Sequence, residues 1–554
     1  MKKQSPRFIF VVGGVISGVG KGVTASSIAK ILQERGCSVT AIKIDPYVNI
    51  DAGTMNPTEH GEVFVLNDGD ECDQDMGNYE RFLDIDLTRT NYMTTGRVYQ
   101  SVIENERALA YKGACVQVVP HVPMEVVARI DRAQKQANAD IVVIEIGGTV
   151  GEYENILFLE AARMIKLRDP HSVAFVMVSY LPTPAKVGEM KTKPTQHSVR
   201  TLNASGIQPD IIIARSTVPL DTKRKEKLSF FCNVPIDHVI SAPDVESIYE
   251  VPINFEKEHL SDKIATILHM QFPHHKKEQQ SAWAQFVGTQ RRAKEEVHIA
   301  VVGKYFETGD FVLSDAYLSV IEAIKFSAFS QHRKAVLTWF SSDEFEKNPA
   351  KLKTLFLFDG ILVPGGFGAR GVEGKIAVIK YAREKKIPYF GLCYGMQLAV
   401  IEFARHVAGI KGATTRENDP ESNACVIDLM ESQKTNMKQQ QYGATMRLGA
   451  YPALLKKGTI ACTAYGTDRI SERHRHRFEV NPSFIPQLEQ AGLVFSGISP
   501  DGQLMEIAEL PKKVHPFFVG TQFHPEFLAR PLHPHPLFSA FIKAAITHRK
   551  VKKK

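Results

Sequence analysis

Pro388-Tyr389-Phe390-Gly391-Leu392-Cys393-Tyr394-Gly395-Met396-Gln397-Leu398-Ala399 reads as a short buried strand, a Gly-x-Cys-x-Gly turn and the start of a helix. Such an elbow lifts one side chain above a sheet, and Gly391 and Gly395 permit its tightness. Cys393 then sits at a helix N-terminus, where the partial positive charge favours thiolate over thiol. A small buried cysteine in a tight turn is the bland alternative. Two further stretches weigh against it. His524-Pro525-Glu526 follows the apolar stretch 517–523 and supplies a base and an orienting acid, giving a Cys393-His524-Glu526 triad. Pro364-Gly365-Gly366-Phe367-Gly368 follows the apolar stretch 361–363, and its backbone N–H groups can serve a tetrahedral oxyanion.

Outward from the elbow, short β-branched runs alternate with helix-like stretches, the rhythm of parallel α/β sheets. One such series runs from Phe8 to about Phe272, and a second begins with Val297-His-Ile-Ala-Val-Val-Gly. Between them, 273–296 is polar and charged. We therefore expect an α/β chain of two domains, each built on a mostly parallel sheet flanked by helices: 1–272, a linker 273–296, 297–547, and a basic tail 548–554. At 554 residues, 44% hydrophobic and 23% charged, the chain has material for two cores and is neither disordered nor fibrous. Its net charge of +7 includes the terminal lysines and does not by itself argue for nucleic acid. Seven scattered cysteines without a C-x-x-C pair fit a reducing cytoplasm, and no apolar run approaches the roughly 18 residues of a membrane span. The expected location is cytoplasmic, with no nucleic-acid or membrane partner.

The first half carries its own glycine-rich turn, Val12-Gly13-Gly14-Val15-Ile16-Ser17-Gly18-Val19-Gly20-Lys21-Gly22-Val23-Thr24, between a strand and a helix. Backbone N–H groups, a lysine and a helix N-terminus together cradle a polyphosphate. The loop deviates from the usual P-loop: Val15 stands at a glycine position, and Gly22 replaces the Ser/Thr after the lysine. Thr24 or Ser17 must supply any hydroxyl contact. A triphosphate implies Mg²⁺ and oxygen ligands. Glu145 ends an apolar strand at its carboxyl end, where a parallel sheet delivers such a group. Any of Asp68, Asp70, Asp73 and Asp75 could be the second acid.

The C-terminal half resembles class I glutamine amidotransferases. The likeness implies a glutamine site of Gly366, Tyr394, Gly395, Met396, Gln397, Glu417 and Arg477, with Glu417 toward the α-amino group and Arg477 near the α-carboxylate. Tyr394 departs from the expected leucine, at a position used mainly for its backbone N–H. Lys191-Thr-Lys-Pro-Thr-Gln-His-Ser-Val199, with KIDPYVNIDAGTMNPTEHGEVFV from Lys43 and EIGGTVGEYEN from Glu145, resembles the CTP synthase family over nearly the whole chain. That resemblance implies ATP-dependent amination of UTP at its 4 position through a phosphorylated intermediate, with ammonia from glutamine or supplied directly. It further implies ATP contacts by Gly18, Val19, Gly20, Lys21, Gly22, Val23, Lys43, Asp75, Arg215 and Val245, and Mg²⁺ held by Asp75 and Glu145. UTP or CTP contacts fall to Ser17, Glu152, Tyr153, Glu154, Lys191, Thr192, Lys193, Pro194, Thr195, Gln196 and Lys227. GTP activation through a lid at 368–375, inhibition by CTP, and a homotetramer built as a dimer of dimers also follow from the likeness. Glu152 in place of Asp, Leu318 in place of Lys, and a longer stretch from Tyr305 to Ser319 depart from the family pattern. A cobyrinate-type amidating synthetase, the rival enzyme, lacks the Lys191–Val199 motif. A catalytically silent scaffold, the rival of another class, has no reason to keep Lys21, Asp75, Glu145, Cys393, His524 and Glu526.

Overall fold

The computed structural model describes residues 5–186, 188–272, 281–303, 307–308, 311–312, 314–366, 368, 370–429 and 446–552. Phe367 and Ala369 of the glycine loop and lid, 273–280 of the expected linker, 304–306, 309–310 and 313 of the longer stretch, and Lys553 and Lys554 lie outside the described residues. The chain gathers into two compact units. One comprises Met1–Asp51 and Asp75–Val287; the other comprises Ala52–Gln74 and Gly288–Lys554. A segment from the first half of the sequence thus belongs to the second unit.

The first unit is organised by a seven-stranded sheet in the order Tyr92–Thr94, Val39–Asp45, Ile141–Ile146, Arg7–Gly14, Val173–Tyr180, Ile211–Ser216, Val239–Pro243. Every pairing is parallel. Helices cover both faces, so the central strands read as continuous apolar runs rather than alternating ones. Phe10, Ile42, Val142 and Phe175 pack with Val126, Ile130 and Phe158 of the covering helices in one core. From Arg7–Gly14 the chain crosses through the helix Lys21–Glu34 to Val39–Asp45 on one side, while Val173–Tyr180 adds on the other. The carboxyl end of Arg7–Gly14 is therefore a switch point of the topology, where a crevice opens in doubly wound sheets.

In the second unit a nine-stranded sheet runs Arg333–Ser341, Glu295–Gly303, Gly360–Val363, Tyr389–Leu392, Phe518–Thr521, Met505–Glu509, Val494–Ile498, Arg447–Leu455, Arg469–His476. The pairings up to Phe518–Thr521 are parallel. Those beyond it are antiparallel. Cys393 and His524 follow the two parallel strands that adjoin at the centre of this sheet, Tyr389–Leu392 and Phe518–Thr521. The segment 52–74 contributes a small hairpin, Val63–Val65 against Glu71–Asp73. No helix among the described residues is long and apolar enough to cross a membrane.

Candidate active site

The Cys393 elbow is tight because backbone approaches backbone. A Cβ on Gly395 would stand 2.2 Å from Val363 O, and one on Gly391 would stand 2.5 Å from the Tyr389 hydroxyl and 2.7 Å from the Gly395 carbonyl carbon. Neither glycine takes positive φ; Cys393 itself does, with φ 49° and ψ −99°. A non-glycine residue held there stores backbone strain, of a kind that clusters at functional sites. Cys393 caps the helix Tyr394–His406, and its N–H donates to Thr521 O at 2.6 Å. Gln522 Nε2 donates toward Cys393 Sγ at 3.7 Å and thereby ties the elbow to the neighbouring strand.

His524 Nδ1 donates to Glu526 Oε1 at 2.7 Å. That bond fixes the tautomer, leaving Nε2 as the working nitrogen. Among the described residues Nε2 is buried without a hydrogen-bond partner. Gly365 packs between the two groups: a Cβ there would lie 2.9 Å from His524 Cε1 and 3.8 Å from Cys393 Cβ. Burial works against the imidazolium, but the Glu526 carboxylate and then Cys393 outweigh it and push His524 up to about 10. The ring is therefore protonated at neutral pH and able to give a proton to a leaving amine.

A cavity of about 540 Å³ opens over these groups, lined by Gly365, Gly366, Cys393, Arg477, His524 and Glu526. Of the expected glutamine contacts, Gly366 and Arg477 thus face the nucleophile. Glu417 instead accepts the Gly368 N–H at 2.6 Å, Gln397 Nε2 donates to Phe478 O at 3.0 Å, and the Tyr394 hydroxyl donates to Gly368 O at 3.3 Å. Gly395 and Met396 are buried in the first turn of the helix. Sequence reasoning missed Gln522, Arg475 and the 52–74 segment, whose Gly53, Thr54, Met55, Glu62 and Val63 line the same cavity. The signal for Gln522 was a polar residue just before His524. The segment read only as part of a family motif, with no sign that it borders the Cys393 cavity.

In the first unit, Gly18 and Gly20 take positive φ and bend the loop into the helix Lys21–Glu34. Lys21 curls back along the loop: a Cβ on Gly13 would meet its Nζ at 2.9 Å, and that Nζ donates to Gly148 O at 2.8 Å. Lys43 Nζ bridges Asp75 at 2.5 Å and Glu145 at 2.9 Å, and Tyr79 donates to the other oxygen of Glu145. Burial raises Glu145 above the usual carboxylate range against the pull of Lys43. At Asp75 the balance reverses: burial would raise it, but Lys43 outweighs burial and holds it low. Burial lowers Lys21, with Glu145 opposing and Lys43 adding to the effect.

The structure also explains Gly22. A Cβ at that position would lie 2.1 Å from Asp75 Oδ1. The Asp75 carboxylate stands against the backbone at the position where a P-loop carries its hydroxyl side chain, which accounts for Gly22. Of the four candidate acids, Asp75 belongs to the first unit with Glu145, while Asp68, Asp70 and Asp73 belong to the second.

Gly20, Val23, Arg215 and Val245 line a smaller cavity of about 80 Å³ beside the loop. Arg215 is held there by Ala242 O at 3.0 Å and Asp244 at 2.9 Å. The expected UTP residues line neither cavity. Lys193 and Pro194 begin the helix Lys193–Ala204, Lys191 pairs with Glu189 at 2.6 Å, and Gln196 donates to Thr192 at 3.1 Å. Thr195 accepts from Ser179 at 2.8 Å. Ser17, Glu152, Tyr153, Glu154 and Lys227 are exposed.

Comparison with known proteins matches a different family model to each half of the chain. Residues 7–270 match the family described as CTP synthase N-terminus, and residues 312–544 match glutamine amidotransferase class-I. A CTP synthase of Pyrococcus abyssi is 51% identical over 548 residues, covering 99% of both chains. One of Pyrococcus furiosus is 50% identical over 548 residues, again with 99% of each chain covered. Among solved structures, the glutaminase domain of Trypanosoma brucei CTPS with bound acivicin is 37% identical, with a TM-score of 0.42, covering 45% of this chain and 94% of that one. The chain belongs to the CTP synthase family, with a class-I glutamine amidotransferase domain in its C-terminal half.

Proposed function

We propose that the chain aminates UTP to CTP at the expense of ATP, with ammonia released from glutamine at Cys393. The observation that carries the first part is a strained cysteine in one cavity with a histidine whose Nδ1 is held by a carboxylate at 2.7 Å. In this reading the Cys393 thiolate, paired with protonated His524, attacks the glutamine amide carbon, and backbone N–H groups near Gly365 and Gly366 receive the oxyanion. Protonated His524 gives its proton to the departing ammonia, leaving a thioester. His524 then takes a proton from water as the water oxygen attacks the thioester carbon; the C–S bond breaks, glutamate leaves, and the thiolate–imidazolium pair is restored.

The second part rests on the phosphate loop and on the names of the relatives. A uracil oxygen is a poor leaving group; transfer of the ATP γ-phosphoryl to O4 makes it a good one, and ammonia then displaces phosphate at C4. Lys21 and Lys43 offset the charge of the transferred group. Asp75 and Glu145 fit Mg²⁺: they are hard oxygen donors already sharing one cation, the Lys43 ammonium. Asp75 and Glu145 would hold the ion, which would supply screening of the phosphate charge. Arg215 and Val245 would flank the adenine, and Lys191–Gln196 and Lys227 would meet UTP in a tetramer of two dimers. CTP would compete near Glu152–Glu154, and GTP would act through 368–375.

The deciding measurement is the absorbance change from UTP to CTP with ATP, Mg²⁺ and either glutamine or ammonia. Product is expected from both nitrogen sources; product from neither overturns the reading.

A further inference from the structure

The strand Arg469–His476 meets both members of the Cys393–His524 pair through its backbone. The His524 N–H donates to Arg473 O at 2.8 Å, and Cys393 Sγ donates toward Arg475 O at 3.8 Å. Residues two apart on a strand share a face. The side chains of the same two arginines are both held by the segment 52–74. Arg473 Nε donates to Asn67 Oδ1 at 2.5 Å and its Nη1 to Val65 O at 3.1 Å. Arg475 Nε donates to Glu71 Oε1 at 2.8 Å, with the Glu71 side chain 1% exposed.

The segment is itself locked to its unit. Ala450 N–H donates to Asn67 O at 2.9 Å. Phe64 packs edge-on against Phe527 at 5.0 Å between ring centres, and Phe527 stacks on His524 at 5.1 Å.

We propose that Asn67 and Glu71 are positioning residues for the thiol and imidazole: by fixing Arg473 and Arg475 they fix the two carbonyls against which His524 and Cys393 are set. The inference rests on the reading of Cys393 as nucleophile. It makes the glutaminase site incomplete without a segment that lies outside the class-I amidotransferase match. An error of about 1 Å in such geometry costs on the order of 10²-fold in rate.

The test uses the full chain carrying Glu71→Ala or Asn67→Ala, with glutamate release from glutamine as the assay. The expected result is a fall in kcat of about tenfold or more, glutamine KM within about threefold, and slower alkylation of Cys393 by iodoacetamide. Glu71→Gln, which keeps an acceptor for Arg475, should recover part of the kcat. Ammonia-dependent synthesis in the same preparations should be unchanged and reports on folding. Unaltered kcat in both alanine variants overturns the proposal, as does a change in KM alone or an equal loss of ammonia-dependent synthesis. Glutamate release without any CTP from the wild type would defeat the proposed function and leave this test readable.

Discussion

The two glycine-rich turns of this chain solve opposite problems. At 391–395 the glycines are crushed between backbones and the strained residue is the reactive one, Cys393. At 13–22 the residues at positive φ are Val15, Gly18 and Gly20; Gly13, Gly14 and Gly22 are crowded by side chains, but at the crest of the loop a Cβ on Gly18 would meet nothing within 4 Å. The first turn is closed throughout around an atom it must deliver; the second is packed at its base and open at its crest, around a group it must receive. Each turn holds one non-glycine residue at positive φ, Cys393 in the first and Val15 in the second, but only in the first is that residue the reactive one. A cradle for a visiting phosphate needs unsatisfied N–H groups instead.

If the turns do separate chemistries, Cys393→Ala should remove glutamine-dependent synthesis by on the order of 10⁴-fold or more while sparing ammonia-dependent synthesis. Equal loss of both in the coupled assay would break the separation. Lys21→Ala should lower both activities by on the order of 10³-fold, and full ammonia-dependent activity would remove the open turn from the phosphate chemistry. Gly22→Ala should cost about 10²-fold in both, because the new methyl must displace Asp75; unchanged ammonia kinetics would show that Asp75 yields without consequence.

Smaller effects sharpen the same contrast in stability. His524 is raised in the folded state, so its contribution is fully present below the ordinary value of 6.5 and is lost as pH rises through about 10. Melting temperatures should therefore fall over that window, and Glu526→Gln should flatten the fall by roughly 2–4 °C. Smallest of all, Cys393→Gly should be about 1 kcal/mol more stable than Cys393→Ala in denaturant titrations, since glycine accepts positive φ without strain. No difference would mean that the closed turn stores nothing.

Much of this was legible in the sequence. The first sheet announced itself because strands covered on both faces are unbroken apolar runs, and Cys393, His524 and Glu526 lie at strand ends that short motifs mark. The loop around Lys21 was equally visible, but the meaning of Gly22 was not, since the atom that excludes a side chain there comes from Asp75. The hairpin Val63–Val65 with Glu71–Asp73 was hidden for another reason: strands of three residues are too short to show a period. Arg473 and Arg475 were hidden because arginines on alternate positions read as a solvated face, whereas Arg473 is fully buried. Their partners lie some 400 residues away in sequence, as the separations of 406 and 404 residues for Asn67 and Glu71 attest.

At the tip of that hairpin, a Cβ on Gly449 would come within 2.6 Å of Gly69 N, and one on Gly69 within 2.9 Å of Leu448 O. Two main chains meet there with no side chain between them, a fit that admits little drift on either side. For protein engineering this defines the transplantable piece. A glutaminase cut from this chain as 297–547 would lose the partners that 52–74 supplies to Leu448, Gly449, Ala450, Arg473 and Arg475, so a graft should carry that hairpin with it.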